Sequence, residues 1–330
     1  MANPGGNGAT FDILGIGNAI VDVIAHADDR FLTDRGITKG GMTLIDADGA
    51  TSLYGDMAAG IEMSGGSAAN TIAGAASLGA RAAYIGKVRN DQLGEVFAHD
   101  IRAIGVHYDT PLAETGPPTA RCLILVTPDA QRSMNTFLGA SQELGPDDVD
   151  AALVAAATIT YLEGYLWDPV HAKAAFRKAM DIAHGAGRQV AMTLSDSFCV
   201  DRYRQEFREL VDHQIDILFA NEDEIKSLYE VDDFDDALQA VRGKCDIVAL
   251  TRSEKGSVIL TGDEVHVIDA APVAKVVDTT GAGDLFAAGF LYGITNGLGP
   301  AESAGIGGRA AAEVISHMGA RPEIDLKTLL

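Results

Sequence analysis

A glycine-rich stretch near the C-terminus has the residue types of an anion-binding turn with an acid beside it. It reads Asp278-Thr279-Thr280-Gly281-Ala282-Gly283-Asp284 and runs into an apolar, small-residue helix predicted over residues 283–296. The first N–H groups of a helix have no internal partner and lie at the positive end of its dipole, so those of 281–283 could bind an oxyanion. Asp284 could then take a proton from a hydroxyl beside that anion. The structural alternative is that Asp284 only caps the helix and the glycines only permit the turn.

A second stretch, in the N-terminal third, has residues suited to binding hydroxyl groups. It reads Ser64-Gly65-Gly66-Ser67-Ala68-Ala69-Asn70, at the start of a helix predicted over residues 67–78. Gly65 and Gly66 would let the backbone approach a ligand closely, and Asn70 offers both a donor and an acceptor. Alternatively, this is the start of an ordinary buried helix, with Asn70 satisfied internally.

These two stretches resemble the C-terminal and N-terminal signatures of the PfkB, or ribokinase, family of carbohydrate and nucleoside kinases. The resemblance extends over nearly the whole chain, from Phe11 to about Pro322, in the family's order. It implies that Asp284 is the catalytic base and that the turn of Gly281, Ala282 and Gly283 stabilises the transferring phosphoryl group. It also implies that Gly65, Gly66 and Asn70 hold the hydroxyl groups of the substrate.

The beginning of the chain, Gly17-Asn18-Ala19-Ile20-Val21-Asp22, is most similar to adenosine-kinase-type members of the family. The resemblance implies that Asn18 and Asp22 belong to the same hydroxyl-binding set. Asp22 could instead be an outward-facing strand residue. An apolar substrate pocket would need apolar side chains nearby, and the candidates are Leu123, Leu125, Phe137 and Leu138. The alternative is that these four residues belong to the core.

The resemblance also implies where ATP and Mg²⁺ would bind. Asn221-Glu222-Asp223-Glu224 is similar to the family's NxxE motif, in which Asn221 and Glu224 act through water around the ion. The same pattern is typical of a capping box at a helix N-terminus, and both interpretations can hold. The segment 251–256 is similar to the family's nucleotide-contacting turn T-x-G-x-x-G: Thr251 and Gly256 fit, whereas Ser253 replaces the first glycine. Asp278 could help bind a monovalent cation such as K⁺, as in many relatives.

The elements that must position these residues alternate along the chain. Strand-type runs that are apolar on both faces are predicted at 11–17, 82–86, 158–162, 189–194, 215–220 and 246–251. Helical runs are predicted at 67–78, 91–104, 169–184, 222–230, 235–242, 283–296 and 301–317, and a hairpin at 257–268. Such alternation predicts an α/β fold with a doubly wound, Rossmann-type parallel sheet flanked by helices, which is ribokinase-like by resemblance.

Two regions, roughly 19–62 and 107–137, do not follow this alternation of strands and helices and contain short β-type segments and turns instead. We interpret them as insertions that form a small β-sheet lid on one α/β kinase domain over residues 11–330. The homodimer that such lid strands could form remains an alternative to a monomer.

Composition excludes several classes of function. The 330 residues carry a formal net charge of −22 and no Lys/Arg run, which argues against nucleic acid or a membrane surface as a partner. Three cysteines without a CxxC pair argue against a disulfide framework or structural zinc and favour a cytoplasmic location. Residues 1–10 lack the basic and apolar regions of a signal peptide, so we expect them to form a flexible leader and not a signal peptide. Gly15-Ile16-Gly17-Asn18 lacks the third glycine of a dinucleotide fingerprint, and the P-loop pattern is absent.

We therefore expect a purine-salvage kinase that phosphorylates a ribose-type primary hydroxyl with ATP and Mg²⁺, converting adenosine to AMP. The first alternative is a kinase of a free sugar or sugar acid, such as ribose, fructose or 2-keto-3-deoxygluconate. A second alternative, from another class, is a non-catalytic nucleoside- or sugar-binding sensor.

Overall fold

A computed structural model describes residues 8–129 and 131–330, which form two β-sheets with helices packed around them. Most of the predicted leader lies outside the described residues. The strands are β1 Phe11–Ile16, β2 Ile20–His26, β3 Met42–Leu44, β4 Ile61–Gly65, β5 Ala82–Ile85, β6 Ala120–Val126, β7 Arg132–Phe137, β8 Ala157–Glu163, β9 Gln189–Thr193, β10 Ile217–Asn221, β11 Ile247–Thr251, β12 Ser257–Thr261 and β13 Glu264–Ile268. The helices are α1 Asp29–Asp34, α2 Ala47–Asp56, α3 Ser67–Leu78, α4 Gln92–Ala103, α5 Ala151–Ala156, α6 Val170–Gly185, α7 Ser197–His213, α8 Glu222–Tyr229, α9 Phe234–Val241, α10 Ala282–Thr295 and α11 Pro300–Val314.

The larger sheet has the strand order β13-β12-β11-β10-β9-β8-β1-β5. Its pairs are parallel from β5 to β11, and the hairpin β12–β13 adds an antiparallel edge. Each strand-type run predicted for this sheet is confirmed. No helix in the described part of the chain is long and apolar enough to cross a membrane.

Helices cover both faces of this sheet, because successive side chains of a strand point to opposite sides. On β1, Ile13 packs into a buried apolar cluster with α3, α10 and α11. Leu14 packs into a second cluster with residues of the helices α5 to α9. The predicted α/β class is therefore confirmed, and α7, which the periodicity analysis had not identified, belongs to the second layer.

The smaller sheet has the order β3-β7-β6-β2-β4. Helix α1 lies in the connection between β2 and β3, and α2 lies in the connection between β3 and β4. Strand β2 follows β1 after three residues, and β4 leads directly into α3. The described chain crosses between the two sheets four times. The first crossing is at residues 17–19 and the second begins at Gly66, whereas the other two lie between β5 and β6 and between β7 and β8. The first two crossings lie among the residues singled out by the sequence.

Alternation along β2 and β6 decides which side chains share a face with Asp22. Asp22 is directly opposite Cys122 on β6, so Ile124 and Val126 share its face. Leu123 and Leu125 point the other way, into the core with Val21 and Val23. Leu123 and Leu125 are therefore core residues, as the alternative predicts, and not pocket residues. Phe137 and Leu138 line a separate surface depression of about 360 Å³.

Close contacts through glycine fix the position of α10, which begins at the glycine-rich turn. A Cβ atom on Gly289 would lie 2.6 Å from the backbone nitrogen of Gly307 on α11, and one on Gly307 would lie 2.5 Å from the carbonyl oxygen of Phe286. On the other side, a Cβ on Gly74 of α3 would lie 2.6 Å from a methyl carbon of Leu285. These distances show that α10 packs against α11 at nearly backbone contact and that the side chain of Leu285 lies directly on the backbone of α3 at Gly74.

We expect Gly289→Ala to lower the free energy of unfolding by about 1–3 kcal/mol, because the added methyl group meets backbone that cannot rotate away. Urea denaturation would measure it. The matched control is Gly308→Ala on α11, where an added Cβ meets nothing within 4 Å. This control should be neutral or stabilising by up to about 1 kcal/mol. Equal effects of the two substitutions would contradict the packing argument.

Candidate active site

Two helix N-termini meet at Asp284. Its Oδ1 accepts a hydrogen bond from Ser67 Oγ at 2.7 Å, and its Oδ2 accepts one from Asn70 Nδ2 at 3.0 Å. The residue that caps α10 is Gly281, whose φ is +81°. Asp284 is therefore not the helix cap, since its carboxylate is held by α3. Ser67 had not been predicted as a site residue; its place in the 64–70 stretch was the available signal.

The turn before α10 leaves free N–H groups beside this carboxylate. The N–H of Ala282 donates to the carbonyl oxygen of Thr279, whereas those of Gly281, Gly283 and Asp284 have no acceptor among the described residues. A Cβ on Gly281 would lie 2.9 Å from Ala320, but one on Gly283 would meet nothing within 4 Å. The space above the amides at 283 and 284 is therefore open to an anion.

Burial raises the pKa of Asp284 to about 6, while the hydrogen bonds from Ser67 and Asn70 and the charge of Arg321 lower it. At neutral pH the carboxylate is mostly ionised and can accept a proton. The Oδ1 atom of Asn70 is buried and has no donor in the described structure. It can therefore accept a hydrogen bond from a ligand hydroxyl next to Asp284.

Asp22 lies across the site on the smaller sheet, and its carboxylate has no hydrogen-bond donor among the residues described. Burial raises its pKa to about 6, the charges of Arg321 and Arg132 lower it, and Asp284 raises it. A Cβ on Gly65 would lie 2.5 Å from Asp22 Oδ2, so a side chain at 65 would displace this carboxylate.

Gly66 has φ +99°, and a Cβ there would lie 2.2 Å from the carbonyl oxygen of Asn18. Asn18 itself is buried and already bonded within the protein. Its Nδ2 donates to Glu163 Oε1 at 2.6 Å, and its Oδ1 accepts from Ser141 Oγ at 2.8 Å. Asn18 therefore supports the backbone at Gly66 from below. Its predicted contact with substrate stays a prediction.

Glu163, at the end of β8, was not predicted because no motif surrounds it. It is fully buried, and it also accepts a hydrogen bond from the N–H of Ala68 at 2.8 Å. Burial raises its pKa to about 7 against the lowering effect of the bonds from Ala68 and Asn18. This carboxylate joins β8, the first crossing between the sheets and the start of α3.

Asn221 and Glu224 form a complete capping box at the start of α8. Asn221 N–H donates to Glu224 Oε2 at 2.9 Å, and Glu224 N–H donates to Asn221 Oδ1 at 2.8 Å. Burial raises the pKa of Glu224 to about 7, the N–H of Asn221 lowers it, and Asp196 and Asp223 raise it. The described chain has no cluster of three potential metal ligands. A buried carboxylate with acidic neighbours suits a divalent cation held through water, without a direct ligand set.

The predicted nucleotide turn keeps its shape despite the missing glycine. Thr251 ends β11 directly beside Asn221 of β10. Ser253 has φ +50°, the left-handed conformation that a glycine would adopt more easily. Gly256 has φ +81°, and a Cβ there would lie 2.0 Å from the carbonyl oxygen of Ile268.

Two arginines that no motif identified lie near the acids of the site. Arg132 of β7 forms a buried ion pair with Asp278. Asp278 also accepts hydrogen bonds from Thr280 Oγ1 at 2.8 Å and from the N–H of Gly319 at 3.0 Å. A cation at Asp278 would therefore compete with a guanidinium. The second arginine, Arg321, interacts electrostatically with both Asp22 and Asp284.

An apolar cluster lies on the same face of the smaller sheet as Asp22. Its members come from β2, β6, β7 and the segment after α11: Cys122, Ile124, Val126, Ile20, Ile24, Met134 and Met318. The site thus places an open anion-binding turn, a base and an unpaired carboxylate beside an apolar surface. This arrangement can hold an anionic group next to a hydroxyl and accept the proton of that hydroxyl.

The buried acids predict how stability depends on pH. Asp22 and Asp284 have pKa values raised to about 6, and Glu163 and Glu224 to about 7. The folded state therefore binds more protons than the unfolded state, and stability falls as pH rises through these values. We expect a higher urea midpoint at pH 6 than at pH 8.

The variant Glu224→Gln should weaken this pH dependence, because one raised carboxyl pKa is removed. The exposed Glu209 provides the control, since Glu209→Gln should leave the dependence unchanged. An equal or higher urea midpoint at pH 8 for the unsubstituted protein would show that the buried acids do not control its stability.

Comparison with known proteins agrees with this geometry. Residues 41–326 match the model of the pfkB family carbohydrate kinases. The crystal structure of adenosine kinase from Sinorhizobium meliloti is 56% identical, with a TM-score of 0.90 over 97% of this chain and 98% of that one. A probable sugar kinase from Rhizobium etli CFN 42 is 54% identical, with a TM-score of 0.91 and the same coverage. Adenosine kinase of Saccharomyces cerevisiae is 26% identical over 94% of this chain and 96% of its own length. The chain therefore belongs to the pfkB family of carbohydrate kinases and is a phosphotransferase with a hydroxyl group as acceptor.

Proposed function

We propose that the protein transfers the terminal phosphoryl group of ATP to the primary hydroxyl of adenosine, forming AMP. The observation that carries the proposal is the position of Asp284, held by Ser67 and Asn70 beside the free N–H groups of Gly283 and its own backbone. A base and an anion site in one helical turn are what phosphoryl transfer to a hydroxyl requires.

In this proposal Asp284 orients the primary hydroxyl and accepts its proton as the O–P bond forms. The bonds from Ser67 and Asn70 fix the carboxylate, so little reorganisation is needed at the moment of reaction. The free N–H groups of Gly281 and Gly283 stabilise the charge on the transferring phosphoryl group. The smaller sheet acts as a lid over the substrate and excludes water, which limits the hydrolysis of ATP.

The acceptor would lie between the two sheets. Asp22 and Asn70 Oδ1 have unfilled acceptor capacity for hydroxyl hydrogens. The apolar cluster beside Asp22 would be contacted more favourably by the flat face of a purine base than by water. The 56% identity with the Sinorhizobium meliloti adenosine kinase supports the same acceptor.

Asn221 and Glu224 would hold Mg²⁺ through its water shell, and Thr251 and Gly256 would contact the nucleotide. When bound, the ion neutralises phosphate charge. Near the anion-binding turn, Arg132 neutralises the charge of Asp278, two residues before Thr280, so this carboxylate does not repel phosphate. K⁺ at Asp278 is thus not needed to balance that carboxylate.

An ADP-release assay with MgATP tests the acceptor. We expect strong stimulation by adenosine and weak stimulation by ribose, fructose and 2-keto-3-deoxygluconate. Phosphorylation of a free sugar without that of adenosine would assign the protein to the sugar kinases, in line with its 54% identity to the Rhizobium etli probable sugar kinase. Acceptor binding without any ADP release would instead indicate a sensor.

We expect Asp284→Asn to lower kcat by about 10²–10⁴-fold, the usual contribution of a general base. The unsubstituted enzyme should lose kcat/KM as pH falls through about 6, because Asp284 must be ionised and its pKa is raised to about 6. Asp22, with a similar pKa, couples to this titration. The control Asp235→Asn changes an exposed acid in the first turn of α9 and should leave kcat unchanged. Near-normal turnover of Asp284→Asn would refute the assignment of the base.

The variant Glu224→Gln separates the two roles of the NxxE motif. Glutamine can still close a capping box, so helix α8 should remain intact. The negative charge near the ion is lost, so we expect the Mg²⁺ concentration for half-maximal activity to rise several-fold. Circular dichroism would verify the fold. An unchanged Mg²⁺ requirement would leave Glu224 with a capping role alone.

A further inference from the structure

The carboxylate of Asp278 lies directly before the anion-binding turn, and hydrogen bonds fill its acceptor positions. Its Oδ1 accepts bonds from the N–H of Thr280 at 3.1 Å and from Thr280 Oγ1 at 2.8 Å. Its Oδ2 accepts bonds from the N–H of Gly319 at 3.0 Å and from Arg132 Nη1. A carboxylate offers about four lone-pair positions, so Asp278 has none left for another ligand.

A buried anion needs a positive partner, and Arg132 is that partner. The side chains of Arg132 and Asp278 are 8% and 6% exposed, and they form the only ion pair of Asp278 among the residues described. Removing either member would leave an uncompensated charge in a region that water does not reach, which is strongly destabilising. A monovalent cation could bind the carboxylate only by displacing the guanidinium. The residues present at Asp278 therefore do not fit a bound K⁺.

Arg132 reaches Asp278 from the smaller sheet. It is the first residue of β7 and lies directly opposite Val126 of β6. Its side chain therefore shares the face of that sheet on which Val126 and Asp22 lie. Met318, in the segment after α11, packs against the apolar cluster of the same face. One polar and one apolar contact thus join this face to the segments around the anion-binding turn.

Asp278 in turn fixes the residues that form the anion-binding turn. Its bonds to Thr280 hold the residue directly before Gly281. Its bond from Gly319 holds the residue before Ala320, and Gly281 packs closely against Ala320. The free N–H groups of the turn can stabilise a phosphoryl group only if they are held in one position. The charge of Asp278 must therefore be compensated without disturbing these bonds.

We propose that Arg132 is a positioning residue, which acts through Asp278 and takes the place that the resemblance to the kinase family gives to a monovalent cation. Because the guanidinium belongs to the smaller sheet, Asp278 is neutralised only when that sheet lies over the main domain. The anion-binding turn is therefore completed when the smaller sheet covers the acceptor, and phosphoryl transfer needs no K⁺. The inference rests on the proposed function for the role of the turn, but it does not depend on which hydroxyl compound is the acceptor.

The first test measures the K⁺ dependence of the unsubstituted enzyme. Phosphoryl transfer would be assayed with MgATP in KCl, NaCl and choline chloride at one ionic strength, with ATP supplied as its Tris salt. We expect kcat/KM to differ less than about twofold among the three salts. A rise of about fivefold or more in KCl would show that a bound cation is needed, and it would overturn the inference.

Arg132→Met tests whether the arginine acts through the charge of Asp278. The carboxylate loses its positive partner, so we expect kcat/KM in choline chloride to fall at least about tenfold, as for loss of a charged hydrogen bond. KCl should then raise kcat/KM of this variant at least about fivefold, because K⁺ can occupy the position left by the guanidinium. Arg132→Lys keeps a positive charge near Asp278, so it should retain more activity and respond less to K⁺. A loss that KCl does not restore, or that all three salts restore equally, would overturn the inference.

The matched control is Arg30→Met, which removes an exposed arginine of α1 in the connection between β2 and β3. It should leave kcat/KM and its salt dependence unchanged. Should Arg132→Met not fold, the salt dependence of the unsubstituted enzyme and of Arg132→Lys decides.

Urea unfolding separates this inference from the proposed function, because it needs no turnover. KCl should raise the urea midpoint of Arg132→Met above its value in choline chloride, and it should not do so for the unsubstituted protein or for Arg30→Met. If no hydroxyl compound is phosphorylated, the proposed function fails, and the inference is then judged by these midpoints. Equal effects of KCl on all three proteins would refute it.

Discussion

The hydrogen bonds that join Asp284 to Ser67 and Asn70 are the interaction on which the rest of the site depends. The two partners are 217 and 214 residues away in sequence, so the bonds can form only when α3 and α10 are packed side by side. Small residues allow this packing, since Gly74 leaves room for the side chain of Leu285 and Gly289 meets Gly307 at nearly backbone contact. The carboxylate of Asp284, which we propose to be the base, therefore also joins two distant segments of the chain.

A strongly acidic chain that must bind polyphosphate faces an electrostatic problem. The net charge of −22 repels anions at long range, yet the described anion site carries no cluster of lysines. Free N–H groups at the head of α10 supply local positive potential without adding a charged side chain. Two arginines, Arg132 and Arg321, also lie near acids of the site. Their electrostatic interactions are stronger than they would be in water, because the surrounding protein has a low dielectric constant.

The first two crossings between the sheets join the smaller sheet to the main domain next to the candidate site. One crossing carries Asn18, which Glu163 holds from the end of β8, and the other carries Gly66, whose backbone lies on Asn18. Asp22 and Gly65 follow and precede these crossings, so the carboxylate that we propose to bind hydroxyls is attached to the frame that also fixes α3. Glycine is needed at 66, where the backbone has φ +99° and lies against the carbonyl oxygen of Asn18 in the neighbouring crossing.

Much of the fold and part of the site could be predicted from the sequence because their determinants are local. Apolar runs of strand length alternating with amphipathic runs define a parallel sheet, and a glycine-rich turn before a helix exposes N–H groups whatever surrounds it. The short helices α1 and α2 were missed because strand-like neighbours dominate that region. Only the tertiary structure decided which face of β6 looks toward Asp22, that Asn18 is braced by Glu163, and that Arg132 and Arg321 reach the acids. Those outcomes depend on strand register and on packing between distant segments, which no local pattern encodes.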